Sequence, residues 1–166
     1  MLRTPIMLAL ASILGLGLAG CGGSAPKGAV DSAGRLLSAA VAGDRAAFEA
    51  EIDRAAIRED LRRQVNAMAR TSALEVDGGP SEFALDRMIG PDAVRLVGPD
   101  GELLREAPTT RELSRQMRVI DRDHVCVQRA VSPRDCVLTF GRGPEGWRLV
   151  GMRAMDRTIE VVGLAG

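Results

Sequence analysis

The side chains best suited to chemistry in this 166-residue chain are three cysteines and one histidine: Cys21, Cys126, Cys136 and His124. Thiols pair as disulfides, thiolates and imidazoles bind soft metals, and either group serves as a nucleophile or base in catalysis. The sequence contains no Cys-x-x-Cys, His-Glu-x-x-His, Gly-x-Ser-x-Gly, Walker-type loop or dinucleotide fingerprint. No common catalytic motif therefore explains these residues.

The first twenty residues have the composition of an export signal. Arg3 supplies a positive charge, residues 6–14 form a continuous apolar run, and the small residues Ala19 and Gly20 end it. A charged start, a short apolar centre and a small-residue end predict a secretory signal peptide. The apolar run is shorter than the roughly 20 residues that a membrane-spanning helix needs, which argues against an uncleaved anchor.

The end of this segment, Leu18-Ala19-Gly20-Cys21, resembles the lipobox of bacterial lipoproteins. The resemblance implies cleavage between Gly20 and Cys21, with Cys21 becoming the first residue of the mature protein and carrying acyl chains such as palmitate. Position 22 is glycine rather than the aspartate that commonly retains such lipoproteins at the inner membrane. The expected location is therefore the outer membrane, facing the periplasm. An ordinary secreted protein with a chance cysteine is the alternative.

Three parts of the chain follow from this reading. Residues 1–20 are predicted to be the lipoprotein signal peptide, 21–30 a lipidated flexible tether, and 31–166 a single α+β domain. The 22 basic and 22 acidic side chains cancel, which argues against a basic nucleic-acid surface. Aromatic residues make up 2% of the chain, too few for a surface that stacks sugars or bases.

Export places Cys126 and Cys136 in an oxidising compartment, where two cysteines of a small domain usually form a disulfide. The pattern predicts one strand over 118–130 and the next over 135–142. A loop over 129–133 puts Cys126 directly opposite Cys136 on one sheet face, close to disulfide distance. A loop one residue shorter puts the two cysteines out of phase. We therefore predict a structural disulfide between them.

A metal site is the alternative for the same residues. His124 precedes Cys126 by two residues and so shares its strand face. His124, Cys126 and Cys136 could bind a soft metal such as copper or zinc, with Asp121 or Asp123 as a fourth ligand. The spacing is not a recognised metal signature. We accordingly predict no metal, no other cofactor and no catalytic residue, and keep free or intermolecular thiols as a third alternative.

The elements that position these residues begin with helices. Suitable N-caps for three successive helices are Asp31 or Ser32, Asp44 and Asp53. Apolar residues recur in the third helix at helical spacing and predict a core-facing stripe: Ile57, Leu61, Val65 and Met68. A loop is expected over 75–80, with later short helices capped by Ser81 and by Thr109 or Thr110. Residues 93–97 fit either a helical turn or a short strand.

The remainder of the chain is predicted to be β structure. Segments 118–130, 135–142 and 147–155 alternate as an antiparallel meander, and 158–164 adds a further edge strand. Gly143-Pro144-Glu145-Gly146 closes the second hairpin. Helices first and strands after predict an α+β fold, with the N-terminal helices on one face of a C-terminal antiparallel meander of three or four strands.

Two segments add resemblances. Residues 42–49, 52–58, 60–61 and 86–94 are similar to an uncharacterised bacterial family known only as a domain of unknown function, although 53–58 lacks its Phe-Pro pair. The resemblance could cover most of residues 31–155. That family implies helices followed by a meander, and it brings no activity. Residues 139–150 resemble the closing hairpin of the nuclear-transport-factor-like superfamily, in which helices on a curved sheet often enclose a pocket.

These observations predict a binding module rather than an enzyme. The expected partners are the membrane, through the lipid at Cys21, and an envelope protein or small ligand, with no nucleic acid. The alternative function is a small-ligand or metal-handling protein, or an enzyme, with a pocket between helices and sheet that uses His124 and nearby aspartates.

Overall fold

The computed structural model describes residues 24–71, 79–129, 132–154 and 158–161, and only the backbone of residues 132–134. Five α-helices and a short 3₁₀ turn are present in these ranges: α1 Lys27–Ala42, α2 Arg45–Ala50, α3 Arg54–Thr71, α4 Glu82–Arg87, the 3₁₀ turn Pro91–Ala93, and α5 Thr110–Gln116. The strands are β1 Arg95–Val97, β2 Met117–Val119, β3 His124–Arg129, β4 Ser132–Gly143, β5 Gly146–Met152 and β6 Thr158–Glu160. The predicted α+β class is confirmed.

Strands β2 to β5 form an antiparallel sheet in the order β2-β3-β4-β5, which confirms the predicted meander. The strand predicted over 118–130 is divided in two, because the chain turns back between Ile120 and His124. The Asp121 carboxylate accepts the Asp123 backbone N–H at 2.8 Å and stabilises this turn. β6 is not an edge of the meander as predicted, since it pairs in parallel with β1 in a separate two-stranded sheet.

Four of the predicted helix caps are present. The side chains of Asp44, Asp53 and Ser81 accept the backbone N–H three residues on. Thr109 forms a reciprocal capping box with Glu112. Each cap accepts a hydrogen bond from a backbone N–H that has no partner inside its own helix. The starts of these helices could therefore be predicted from short polar residues in the local sequence.

The predicted start of the first helix was wrong. α1 begins at Lys27 after Pro26, with no capping side chain, and Ala29 and Val30 are buried. The first turn is disfavoured because it has no cap and contains Gly28. Burial of Ala29 and Val30 stabilises it. Residues 27–30 therefore belong to the helix and not to the predicted tether over 21–30.

One apolar core joins the helices to the sheet. The sheet contributes side chains from its three longer strands, and each of the five helices contributes at least one fully buried side chain. Fully buried members include Leu36, Leu37, Phe48, Ile57, Leu61, Leu85, Leu113, Val125, Val127, Leu138, Phe140 and Leu149. The predicted stripe on α3 is buried at its first two positions and half-buried at Val65 and Met68. The α2–α3 link runs along the outer edge of β5, where the Asp53 N–H donates to the Leu149 carbonyl at 2.8 Å.

Some predicted features lie outside the described residues. They include the signal peptide with Gly20 and Cys21, residues 75–78 of the predicted loop, and residues 162–164 of the predicted last strand. No helix within the described ranges is long and apolar enough to cross a membrane.

Candidate functional site

A disulfide joins Cys126 and Cys136, with 5.5 Å between their Cα atoms, and confirms the predicted bond. The predicted register was wrong, because Cys126 pairs with Thr139 and Cys136 pairs with Gln128. Val137 is an extra residue in β4 between these pairs. This bulge returns Cys136 to the face of Cys126, so the cysteines are diagonal neighbours rather than directly opposed.

His124 lies at the start of β3 and is exposed over 47% of its side chain. Its Nδ1 is 3.0 Å from both carboxylate oxygens of Asp121. The pKa of Asp121 lies below its usual range, first because of the Asp123 backbone N–H and then because of His124. The imidazole is thus oriented by a carboxylate, as a general base or a metal ligand would be.

The alternative metal set His124, Cys126 and Cys136 is not supported by the structure. Both sulfur atoms are in the disulfide, so neither is a thiolate ligand. Within the described ranges, no three His, Cys, Asp or Glu side chains are grouped closely enough to hold a metal ion.

His124 does line a small cavity of about 270 Å³ at the β4–β5 turn. Its charged lining comes from Asp53, Arg142, Glu145 and Arg148, and its floor includes Gly141. A Cβ atom on Gly141 would lie 3.0 Å from Val150 Cγ1, so a larger residue would fit here only if Val150 shifted. Arg148 pairs with Glu145 at 2.5 Å, which leaves a polar cavity of mixed charge.

The larger depression is a groove of about 810 Å³ between α1, α2 and the residues that lead into α5. We name it the α1–α2–α5 groove. Its walls are built from small side chains: Gly34, Ala39, Ala42, Ala47, Ala50, Ala107 and Pro108. Sequence reasoning missed the groove, although the alanines that line α1 and α2 were its visible signal.

A group of polar contacts, buried at Ser32 and exposed at Arg35, supports one wall of the α1–α2–α5 groove. Glu51 receives hydrogen bonds from Arg35 Nε at 2.5 Å and Nη2 at 2.9 Å. The hydroxyl of Ser32, which is fully buried, lies 2.8 Å from Glu51 Oε2 and 2.9 Å from the Trp147 carbonyl oxygen. The Glu51 hydrogen bond is the main cause of a raised Arg35 pKa. These contacts join α1, the end of α2 and the start of β5.

The two helices that form most of the groove lie in a stretch with known relatives. Residues 24–101 match a family described as a protein of unknown function, DUF2939. The match covers less than half of the chain and extends from α1 to the turn after β1. α5, the four-stranded sheet and the disulfide therefore lie beyond the matched residues.

The predicted resemblance to a family of unknown function is confirmed over that stretch. No curated protein and no solved structure matches the chain. The resemblance of residues 139–150 to the nuclear-transport-factor-like superfamily stays a prediction, as does the lipobox at residues 18–21.

Proposed function

We propose that the protein is a lipid-anchored envelope protein whose domain binds a basic, extended segment of a protein partner in the α1–α2–α5 groove. The lipid is attached at Cys21 and holds the domain at the periplasmic face of the outer membrane. The open groove between three helices is the observation that carries the binding role.

Sequence and structure both support the anchor. The sequence supplies the apolar run of residues 6–14 and Leu18-Ala19-Gly20-Cys21. The disulfide between Cys126 and Cys136 is the type of bond that persists in an oxidising compartment outside the cytoplasm. Several acyl chains on one residue would hold the protein firmly, since each buried methylene contributes ~0.8 kcal/mol.

The shape of the α1–α2–α5 groove favours a polypeptide over a small molecule. Small-molecule sites are usually enclosed and bury most of their ligand, whereas Ala42, Ala47 and Ala50 are exposed along an open groove. Walls of alanine and glycine let another backbone approach closely. The lining carries the carboxylates of Asp31, Asp44 and Glu51. Glu51 is paired with Arg35 and Asp31 with Lys27, so the negative charge left to attract a positively charged segment is centred on Asp44.

Intact-mass measurement of the membrane-extracted protein tests the anchor. We expect a chain that begins at Cys21, carries added acyl mass, and gains two alkyl groups only after reduction, since the disulfide-bonded Cys126 and Cys136 do not react before it. The Cys21→Ser variant should lose the acyl mass and the processing. A membrane-extracted chain without acyl mass would refute the anchor.

Site-specific photocrosslinking in intact cells tests the groove. A photoreactive residue at Ala47, which lines the groove, should give one discrete adduct, whereas its exposed neighbour Ala46 lies outside the groove and should not. Ala50→Arg fills the groove with a cation and should abolish the adduct from position 47. Equal adducts from both positions, or an adduct that survives Ala50→Arg, would refute binding in the groove.

A second candidate function uses the His124 cavity. The carboxylate-oriented imidazole and the lining arginines suit a small anionic ligand or acid–base chemistry. If this function is the main one, His124→Ala should reproduce the phenotype of a gene deletion. An unaltered phenotype in that variant would exclude the second candidate and leave the groove.

A further inference from the structure

The short connection between the lipid and the domain limits how far α1 can stand from the membrane. Lys27, the first residue of α1, follows Cys21 by six residues. Even a fully extended chain of that length spans only about 22 Å. This argument rests on the proposed anchor at Cys21. If Cys21 is acylated, the start of α1 remains near the lipid headgroups.

The β4–β5 turn lies beside the start of α1. We name residues 142–148 the hairpin tip. A Cβ atom on Gly28 would lie 3.1 Å from Cδ1 of Trp147, which shows how closely the first turn of α1 packs on this ring. Ser32, one turn further on, contacts the Trp147 carbonyl oxygen at 2.9 Å. A membrane near the start of α1 is therefore also near the hairpin tip.

The hairpin tip has the chemistry of a surface that contacts lipid headgroups. Trp147 is half-buried, and the Arg142 guanidinium lies 5.1 Å from the centre of its ring. Indole rings favour the boundary between apolar and aqueous phases, and each arginine or lysine near an anionic bilayer adds electrostatic attraction. Of the three phenylalanines, Phe48 and Phe140 are fully buried in the core, and the exposed Phe83 lies on α4.

The hairpin tip and its surroundings carry charges of both signs, and Arg142 is a cation there without an ion pair in the described ranges. Arg148 pairs with Glu145, and Lys27 pairs with Asp31 while its own side chain stays 88% exposed. Arg142 is exposed and has no carboxylate within ion-pair distance among the described residues. The Arg142 guanidinium, beside the only tryptophan of the chain, is thus unpaired in the part of the chain that the structure describes and available to an anionic partner.

We infer that the hairpin tip is a second, non-covalent membrane contact, which docks on an anionic lipid bilayer through Arg142, Trp147 and Lys27. The acyl chains hold the protein at the bilayer, and the docked tip orients it. The far end of α3 then points away from the membrane, because Gln64 already contacts Met152 and Ala154 at the other end of β5 from Gly146.

Fluorescence of Trp147 tests this inference without a label, since the chain has one tryptophan. The acylated mature protein is reconstituted in phosphatidylcholine–phosphatidylglycerol vesicles, with and without bromine on the acyl carbons nearest the headgroup. Bromine should quench Trp147. Phosphatidylcholine alone should give weaker quenching, because the anionic charge is absent.

Arg142→Gln should lower the equilibrium constant for docking about fivefold, the effect expected for one cation near an anionic surface. The matched control is Arg70→Gln, an exposed arginine near the end of α3, which should leave quenching unchanged. Each variant is compared with itself in unbrominated vesicles, so that loss of the Arg142–Trp147 contact is not mistaken for undocking.

The outcomes separate the docking surface from the anchor. If the protein floats with the vesicles but bromine leaves Trp147 emission unchanged, the docking surface is refuted and the anchor stands. Equal losses of quenching in Arg142→Gln and Arg70→Gln also refute it. If the acylated protein does not float with vesicles, the proposed anchor is refuted together with the docking surface.

Discussion

The β3–β4 hairpin and helix α4 are stabilised by different interactions. The hairpin buries Val125, Val127, Leu138 and Phe140 completely and is closed by a disulfide. α4 has six residues and buries only Leu85, while its Phe83 is 71% exposed. Apolar burial and a covalent bond hold the hairpin, and little of either holds α4.

At α4, ion pairs with α3 replace apolar burial and the disulfide as the main stabilising contacts. Three arginines one turn apart on α3, Arg54, Arg58 and Arg62, contact the two α4 carboxylates Glu82 and Asp86. Exposed pairs of this kind contribute little each and are screened by salt. We therefore expect the stability of the β3–β4 hairpin to depend weakly on pH and salt. We expect α4 to open locally at low pH or high salt.

Removal of the disulfide should have the largest effect on this comparison. The Cys126→Ala/Cys136→Ala variant opens a loop with a sequence separation of 10 residues. A disulfide that closes a loop of that length contributes about 2–3 kcal/mol to stability by restricting the unfolded chain. Urea unfolding should show this loss, and the native protein under reducing conditions is the control. Equal urea midpoints for variant and native protein would show that strand pairing alone holds the hairpin.

The contact of α3 with the end of β5 should show the next largest effect. Gln64 Nε2 donates to the Met152 carbonyl at 2.9 Å, and its Oε1 accepts the Ala154 N–H at 3.0 Å. Gln64→Leu leaves both backbone groups without this partner, at a cost of about 1–3 kcal/mol. The control Arg63→Ala removes the adjacent exposed side chain and should stay within about 0.5 kcal/mol. Similar urea midpoints for both variants would contradict the assigned role of Gln64.

The α3–α4 ion pairs should make the opening of α4 depend on pH. The pKa of Asp86 lies below its usual range because of hydrogen bonds, first from Arg58 and then from Arg54. The stabilisation is therefore present above the carboxyl pKa of the unfolded chain and is lost as pH falls through the lower pKa of the folded state. Hydrogen exchange in α4 should rise on acidification before exchange in β3 and β4 does.

Asp86→Asn should raise α4 exchange at neutral pH and weaken its further response to acid. High salt should act in the same direction on the native protein. Asp31→Asn is a suitable control, because it removes an ion pair with Lys27 within α1 and leaves the α3–α4 pairs intact. Simultaneous opening of α4 and the β3–β4 hairpin on acidification would remove the distinction between the two regions.

Local signals explain which parts of the fold could be predicted. Asp44, Asp53, Ser81 and Thr109 cap helices through contacts three residues along the chain, and such contacts are visible in a sequence. Pairing of Cys126 with Cys136 followed from composition and compartment. Their register did not, because the bulge at Val137 depends on how the whole strand packs.

The features that were missed depend on residues distant in sequence. β1 pairs with β6, more than sixty residues later, so neither strand reveals its partner locally. The start of α1 depends on burial of Ala29 and Val30 by elements that come later in the chain. The α1–α2–α5 groove requires α2 and the residues before α5 to meet over α1. Alanines suggest tight packing as readily as an open wall, so sequence alone could not place it.

His124 should give the smallest effect on stability. Its contact with Asp121 lies within one turn and joins no separate elements, unlike the ion pairs between α3 and α4. Because the side chain is 47% exposed, His124→Ala should change the free energy of unfolding by less than about 0.5 kcal/mol. Asp121→Asn is the control for the turn, since it weakens the acceptor for the Asp123 N–H as well. A His124→Ala loss larger than that of Asp121→Asn would mean that the imidazole supports the β4–β5 turn through the cavity it lines. The stability of the region around His124 would then depend on packing, as in the β3–β4 hairpin, and not on exposed ion pairs, as in α4.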